Sequence, residues 1–274
     1  METLVHDNDV VLVDKAQEIA PIRATSLKKI NIDKVLNRDF RVLEQPAFVL
    51  HSYPYKETSL IVEVFSRDHG RIALIAKGAK RPHSQLRNSL QTFQPLIIAW
   101  SGKSDMPVLT SADWVGGMLP LEKAALLCGF YLNELLIKFL LRKEAHPKLF
   151  NNYVETLNKL AHQSNAAIVL RQFELSLLRE SGLIGDLSYC SHTKSAVSNQ
   201  LSYVVDPNTG IRPCTSFDTI PKVLGKTLLD IHIGDYSDPT TQIQSKILMR
   251  FLLANQLNGE QLKTRQILID LQNL

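Results

Sequence analysis

The chain has 274 residues, with 31 lysines and arginines against 27 acidic residues and a hydrophobic fraction of 45%. With only 12 glycines and 12 prolines, this composition excludes a fibrous or wholly disordered chain. It supplies enough apolar material for one large domain or two small ones. The charge-free apolar run at 124–133 is far short of the ~20 residues of a membrane span. The acidic start METLVHDND has no apolar h-region, and three scattered cysteines form no disulfide framework. A soluble, cytoplasmic protein is expected.

Residues 1–45 hold seven basic and eight acidic side chains and read as an extension, poorly ordered or loosely docked. Within it, residues 10–14 have the composition of a short strand and 32–43 that of a short helix, neither with a partner of its own kind nearby. The texture changes at Ala47. Residues 47–51, 59–65 and 71–76 are short β-rich runs, and 66–70 reads as a hairpin connection in which Gly70 takes a positive φ. Residues 92–100 and 107–114 give two more strands around Gly102. Five short strands over 46–120 predict a small barrel of the OB type. Residues 121–274 read as helices at 121–143, 147–163, 165–181, 221–233, 238–256 and 262–271. Asn165 is a predicted N-cap, and Gly182 a predicted C-terminal glycine. An irregular insert covers 186–218, with a hairpin turn at 206–210. The predicted fold is thus α+β and multidomain: an OB-type five-stranded barrel, then an α-helical domain with an irregular insert.

Catalytic constellations are missing. The sequence has no phosphate loop, no H-E-x-x-H, no G-x-S-x-G and no dinucleotide fingerprint. Cys190, His192 and Cys214 fall in the insert, but structural zinc usually takes two close pairs such as C-x2-C, and here Cys214 has no near partner. They read as non-ligands, and Asp230, His232 and Asp235 as surface polar groups. No metal, no cofactor and no enzymatic activity are expected.

The charge pattern points to nucleic acid. Residues 46–121 hold eight basic and five acidic side chains. From Arg71 to Lys103 the chain carries Lys77, Lys80, Arg81 and Arg87 and no carboxylate. Phosphate neutralisation needs such an unopposed stripe. Lys77, Lys80, Arg81 and Arg87 cluster at a strand end and the loop after it. Arg71, in a strand, and Lys103, in a turn, are the lesser candidates. Tyr53 and Tyr55 flank Pro54 in a predicted loop and are candidate platforms for stacked bases. Phe65, Phe93 and Trp100 lie on apolar runs and read as core.

Several strings occur in a telling order: AFVL at 47–50, Glu57-Thr58-Ser59, Gly70-Arg71, Ala76-Lys77-Gly78-Ala79, Ser84 and Leu90-Gln91-Thr92-Phe93. The helical half adds Tyr131-Leu132-Asn133-Glu134-Leu135-Leu136, Leu170-Arg171-Gln172-Phe173-Glu174 and Leu262-Lys263-Thr264-Arg265. Over roughly residues 46–272 this resembles the bacterial RecO family of recombination mediators. The resemblance implies an OB domain followed by a helical one, in a nucleoid-associated protein. It implies binding of single- and double-stranded DNA and annealing of complementary strands. It also implies partnership with RecR and with the single-stranded-DNA-binding protein SSB, so that RecA is loaded. Some members carry a four-cysteine zinc site in the insert, which this sequence lacks. The family places the SSB tail at the arginine matching Arg171. On a helical wheel Leu175 and Leu178 lie on either side of Arg171, predicting an apolar strip beside a guanidinium. The competing reading pairs Arg171 with Glu174 one turn on. An OB-fold RNA-binding module on a helical scaffold is the alternative function, and an enzyme built around Cys190, His192 and Cys214 is a third.

Overall fold

The computed structural model describes residues 40–257 and 259–272. Strands β1 (Arg41–Tyr55), β2 (Ser59–Ser66), β3 (Gly70–Ala76), β4 (Leu96–Ser101) and β5 (Val108–Trp114) close a barrel in the order β1-β2-β3-β5-β4. Every neighbouring pair is antiparallel except β3–β5. That is the OB topology expected from the five runs. Strand alternation builds it: Val62 and Val64 of β2 and Ile72, Leu74 and Ala76 of β3 point inwards, and the residues between them point out. A short helix, α1 (Gln85–Ser89), adds to the predicted elements. With Ala79, Leu86 and Leu90 it packs against the barrel core.

Two strand starts differ from expectation. β1 starts at Arg41, where Arg41 and Val42 pair with Ser101 and Trp100. The end of the helix predicted over 32–43 is therefore strand. The rest of that helix, and the strand predicted at 10–14, lie outside the described residues. The predicted strand at 92–100 begins only at Leu96, because Phe93 has a φ of 64° and turns the chain.

The helices that follow are α2 (Lys123–Phe139), α3 (Pro147–Ala161), α4 (Ala166–Glu180), α5 (Gly225–Ile233), α6 (Pro239–Gln256) and α7 (Lys263–Gln272). Asn165 caps α4 by accepting from the amides of Ala167 and Ile168, and Asp238 caps α6 by accepting from Thr240 N. Gly182 follows α4 with a φ of 68°. The insert is more regular than predicted. β6 (Tyr189–Cys190) pairs with β7 (Ser195–Ala196), and β8 (Ser202–Asp206) lies between β9 (Gly210–Pro213) and β10 (Lys222–Leu224). β10 replaces the first turn of the helix expected from residue 221, because Val223 pairs with Tyr203. Tyr203, Val205, Ile211 and Val223 of this sheet join the helical core.

Besides the core inside the barrel, a second apolar core joins the barrel to the helices. Phe48, Leu50 and Phe65 point out of the barrel and are buried under α2 and α3. The Tyr153 ring lies 5.3 Å from Phe48 and 6.1 Å from Phe65. Its hydroxyl donates to Asn133 Oδ1 at 2.6 Å, and Asn133 Nδ2 donates to the Leu50 carbonyl at 2.9 Å. Leu50 sits where the β1–β2 register shifts, between Val49 and His51, so Val49 faces the barrel core and Leu50 the helices. A second seam forms where α2 ends. The predicted helix runs to 143, but Leu140 is extended, and Lys143 N donates to the Arg71 carbonyl at 2.9 Å.

Gly70 sits at that seam with a φ of 65°, and a Cβ there would lie 1.7 Å from the Glu144 carbonyl oxygen. Gly70→Ala is therefore expected to cost on the order of 2–4 kcal/mol, backbone strain plus a clash with main chain. Gly182→Ala also has a positive φ but meets nothing within 4 Å, so it should cost only about 1 kcal/mol. Urea denaturation of both variants measures the difference, and equal losses would contradict the close approach at Glu144.

Candidate nucleic-acid interface and peptide pocket

The outward residues of β1, β2 and β3 form the face on which OB folds commonly hold oligonucleotides. One part of it, around Phe48 and Phe65, is covered by the helices. The other carries His51, Tyr53 and Tyr55 of β1, Ile61 of β2 and Ile75 of β3, with Tyr53 opposite Ile61 and Ile61 opposite Ile75. Tyr53 and Tyr55 do not lie in a loop as predicted. β1 runs through Pro54, which pairs with Leu60, and the hairpin turns at Lys56, whose φ is 52°. Two residues apart on one strand, the tyrosines share a face. Tyr53 is 44% exposed, and its ring meets His51 at 4.4 Å.

The basic loop leaves from the end of β3 beside this face. Lys80 N donates to the Thr58 carbonyl, and Lys80 Nζ reaches the Lys56 carbonyl at 3.4 Å, which ties the loop to the β1–β2 turn. Gly78, with a φ of 70°, lets the loop fold so that the Arg81 side chain lies over it. Arg87 stands on the last turn of α1. Lys77, Lys80, Arg81 and Arg87 are exposed, and none forms an ion pair among the described residues. Lys103 lies in the β4–β5 connection, over the Phe40 ring at 4.9 Å. That connection meets β3 where Ile75 N donates to the Pro107 carbonyl. Arg71 is different. It is mostly buried and lies 3.7 Å from Glu63, which also pairs with Arg142 across the seam. Desolvation lowers its pKa, partly offset by Glu63. Arg71 is committed to joining barrel and helices, and it does not lie open with the loop cations.

Arg171 lies in a different setting. It pairs with Glu174 one turn on, in line with the competing reading of the sequence, and Tyr131 donates to the same carboxylate oxygen at 2.6 Å. It also lines a pocket of about 380 Å³ between α2, α4, α6 and α7, together with Leu170, Leu253, Leu257 and Leu262. Leu175 and Leu178 are buried in the helical core and offer no surface strip, because α4 buries Val169, Phe173 and Leu177 as well as these two. The apolar wall beside Arg171 comes from other helices. Arg250 and Arg265 complete the rim. Glu134 positions Arg265 by capping α7, accepting from Lys263 N at 2.8 Å and Thr264 N at 2.9 Å. Partial burial, and then the charges of Arg265 and Arg171, push the Arg250 pKa down. Wheel geometry on one helix misses Arg250 and Arg265. The sequence signal for the pocket is the convergence of three strings, those holding Tyr131, Arg171 and Arg265.

The insert cysteines do not gather. Cys190 is buried and its thiol donates to the Ile211 carbonyl, while Cys214 is partly exposed. Among the described residues, no three His, Cys, Asp or Glu side chains group as metal ligands. Asp230, read as a surface group, ties α5 to α6 by accepting from Thr241 at 2.6 Å and pairing with Lys226. None of the described helices is long and apolar enough to cross a membrane.

The chain is thus an OB-type barrel, edged by cations that form no ion pair among the described residues and joined to a helical half. Residues 41–118 match the family described as Recombination protein O N terminal, and residues 123–218 match Recombination protein O C terminal. A protein named DNA repair protein RecO from Ralstonia nicotianae is 58% identical over 238 residues, covering 86% of this chain and 87% of its own. Its namesake from Burkholderia orbicola is 59% identical over 240 residues, covering 86% and 85%. That from Cupriavidus pinatubonensis is 49% identical over 265 residues, covering 96% and 86%. The chain belongs to the RecO family of DNA repair proteins.

Burial pushes the Glu174 carboxyl up to about 7, against the opposing pull of Arg171, Tyr131 and Arg250. An acid with a folded pKa above its ordinary 4.5 keeps its proton longer in the folded state. Its contribution to stability is complete below the unfolded value and is lost as pH rises through the folded one. The stability of wild type relative to Glu174→Gln should therefore fall between about pH 5 and about pH 8. Denaturant titrations across that range measure it, and a constant difference would contradict the raised value.

Proposed function

We propose that the chain is a non-enzymatic recombination mediator. It binds single- and double-stranded DNA at the barrel, anneals complementary strands, and holds the acidic C-terminal tail of SSB at Arg171. RecR is its second partner, and loading of RecA is the outcome. The observation that carries the reading is the unpaired set Lys77, Lys80, Arg81 and Arg87 beside the exposed Tyr53 and the half-buried Tyr55. Phosphates neutralised by the loop release their counterions, and bases stack on the tyrosines without sequence preference. Two strands held on one cationic surface repel each other less, which favours pairing. The mechanism is electrostatic and consumes no nucleotide.

The tail reading rests on the pocket's chemistry. Apolar walls from Leu170, Leu253, Leu257 and Leu262 suit a terminal apolar side chain, and Arg171, Arg250 and Arg265 suit its carboxylate. Glu174 fixes one side of the Arg171 fork. The barrel and the pocket have separate roles, since one holds strands and the other holds the protein that coats them.

Paired titrations test this. Replacing Lys77, Lys80, Arg81 and Arg87 together by Ala should weaken single-strand binding. It should also make the log–log salt slope shallower by about 3, at roughly 0.7 per phosphate contact, while tail-peptide affinity holds. Arg171→Ala should do the reverse, lowering tail-peptide affinity roughly tenfold to a hundredfold and sparing naked DNA. A quadruple variant with unaltered affinity and slope would overturn the DNA assignment, and unaltered peptide affinity in Arg171→Ala would overturn the tail assignment.

A further inference from the structure

The part of the β1–β2–β3 face that the helices leave uncovered combines an apolar sheet surface with a cationic edge. Tyr53 is exposed, and Tyr55, Ile61 and Ile75 are half-buried. Lys77, Lys80, Arg81 and Arg87 border them without ion pairs among the described residues. The chain ahead of β1 is polarised in the complementary sense. Residues 1–18 hold Glu2, Asp7, Asp9, Asp14 and Glu18 against Lys15 alone. Residues 19–39 reverse this, with five basic and two acidic side chains. The acidic half also carries the apolar run Val10-Val11-Leu12-Val13, flanked by Asp9 and Asp14.

The point where this segment joins the barrel lies beside the face. The Phe40 carbonyl accepts from Gly102 N at 3.0 Å, and the Phe40 ring lies under Lys103. The same 102–107 connection reaches Ile75, whose amide donates to the Pro107 carbonyl at 2.8 Å. Residues 19–39 separate the acidic half from Phe40. Fully extended, they span up to ~70 Å, more than the ~50 Å of the 15-residue β1. The acidic half therefore has the reach to meet any point of the face and of the basic loop.

We propose that residues 1–18 dock on this face when no nucleic acid is present, as an intramolecular competitor for the surface that takes phosphates. The inference rests on the barrel reading above and extends it to how that surface is controlled. The carboxylates pair with the loop cations, and the apolar run lies over Tyr53, Ile61 and Ile75. Charge complementarity selects the acidic half, because the same cations repel the basic half. Each exposed ion pair is weak, but the covalent tether raises the local concentration of the segment enough for several together to hold the face. A nucleic-acid strand brings one phosphate per nucleotide and bases that stack, so it displaces the segment.

The test uses the full chain and a fluorescent single-stranded oligonucleotide. A carbodiimide joins a carboxylate directly to an amine. At low salt it should cross-link residues 1–18 to Lys77 or Lys80 within one chain, and saturating oligonucleotide should suppress the product. Two variants separate docking from charge alone. The first carries Glu2→Gln, Asp7→Asn, Asp9→Asn, Asp14→Asn and Glu18→Gln. The second keeps every charge and carries Val10→Ser, Val11→Ser, Leu12→Ser and Val13→Ser. Both should bind the oligonucleotide more tightly than wild type, the first by up to about tenfold, with an advantage that shrinks as salt rises. Tighter binding in the first variant with no change in the second would overturn the docking and leave a general charge effect. Cross-links that form only between chains would overturn it in favour of a second copy, and cross-links that saturating oligonucleotide leaves intact would overturn the competition. A wild type that binds oligonucleotide through the loop cations yet gives no cross-link rejects this inference alone. Oligonucleotide binding that survives loss of the four loop cations rejects the barrel reading and the inference with it.

Discussion

The packing of Tyr153 against Phe48 and Phe65 governs what this chain can present to a partner. The ring is fully buried between barrel and helices, and its hydroxyl is bound by Asn133, which in turn holds the Leu50 carbonyl. Every polar group in that chain of contacts is satisfied at its link, so the two halves meet in a defined orientation with little room to slide. The bulge at Leu50 makes the meeting possible, because it lets one strand feed two cores at once. The result is a barrel whose outer β1–β2–β3 face is half covered. The half left open holds Tyr53, Tyr55, Ile61 and Ile75, and the basic loop borders it.

Cations serve three purposes in the molecule, and their surroundings separate them. Arg71 and Arg142 converge on the buried Glu63 and fasten the seam. Removing one partner of such a pair costs more than the pair contributes, so these arginines are structural. Lys77, Lys80, Arg81 and Arg87 stand in solvent and form no ion pair among the described residues. Their field is long-ranged, screened by salt and indifferent to sequence, which suits a polyanion. Arg171 is intermediate: held on one side by a buried acid and facing an apolar pocket on the other, it offers a directional contact in a partly desolvated place. A single formal charge of +4 conceals all three.

Much of the barrel is legible from residue order. Period-two runs at β2 and β3 and the glycine at position 70 predict strands, faces and a hairpin, since burial on one face of a strand writes itself into alternate residues. Helix α4 follows from its cap Asn165 and the glycine at 182. What local pattern does not reveal depends on distant partners. Residues 140–143 read as helix, yet the barrel pulls them into bonding with Arg71. Val223 reads as helix, yet Tyr203 recruits it as a strand. A wheel assigns Leu175 and Leu178 to a surface because it gives relative directions on one helix and says nothing of which neighbours cover it. The pocket at Arg171 draws on four helices, and Arg250 carries no signal of its own in the sequence.

The central claim is that strands and tail occupy separate sites on one rigid unit. Its most direct test is simultaneous binding: a labelled oligonucleotide and a labelled acidic tail peptide, titrated together and singly onto the full chain at fixed salt. The expected result is a ternary complex with one peptide per chain and each affinity unchanged by the other ligand. Mutual displacement of peptide and oligonucleotide would contradict it, by placing both on the same surface.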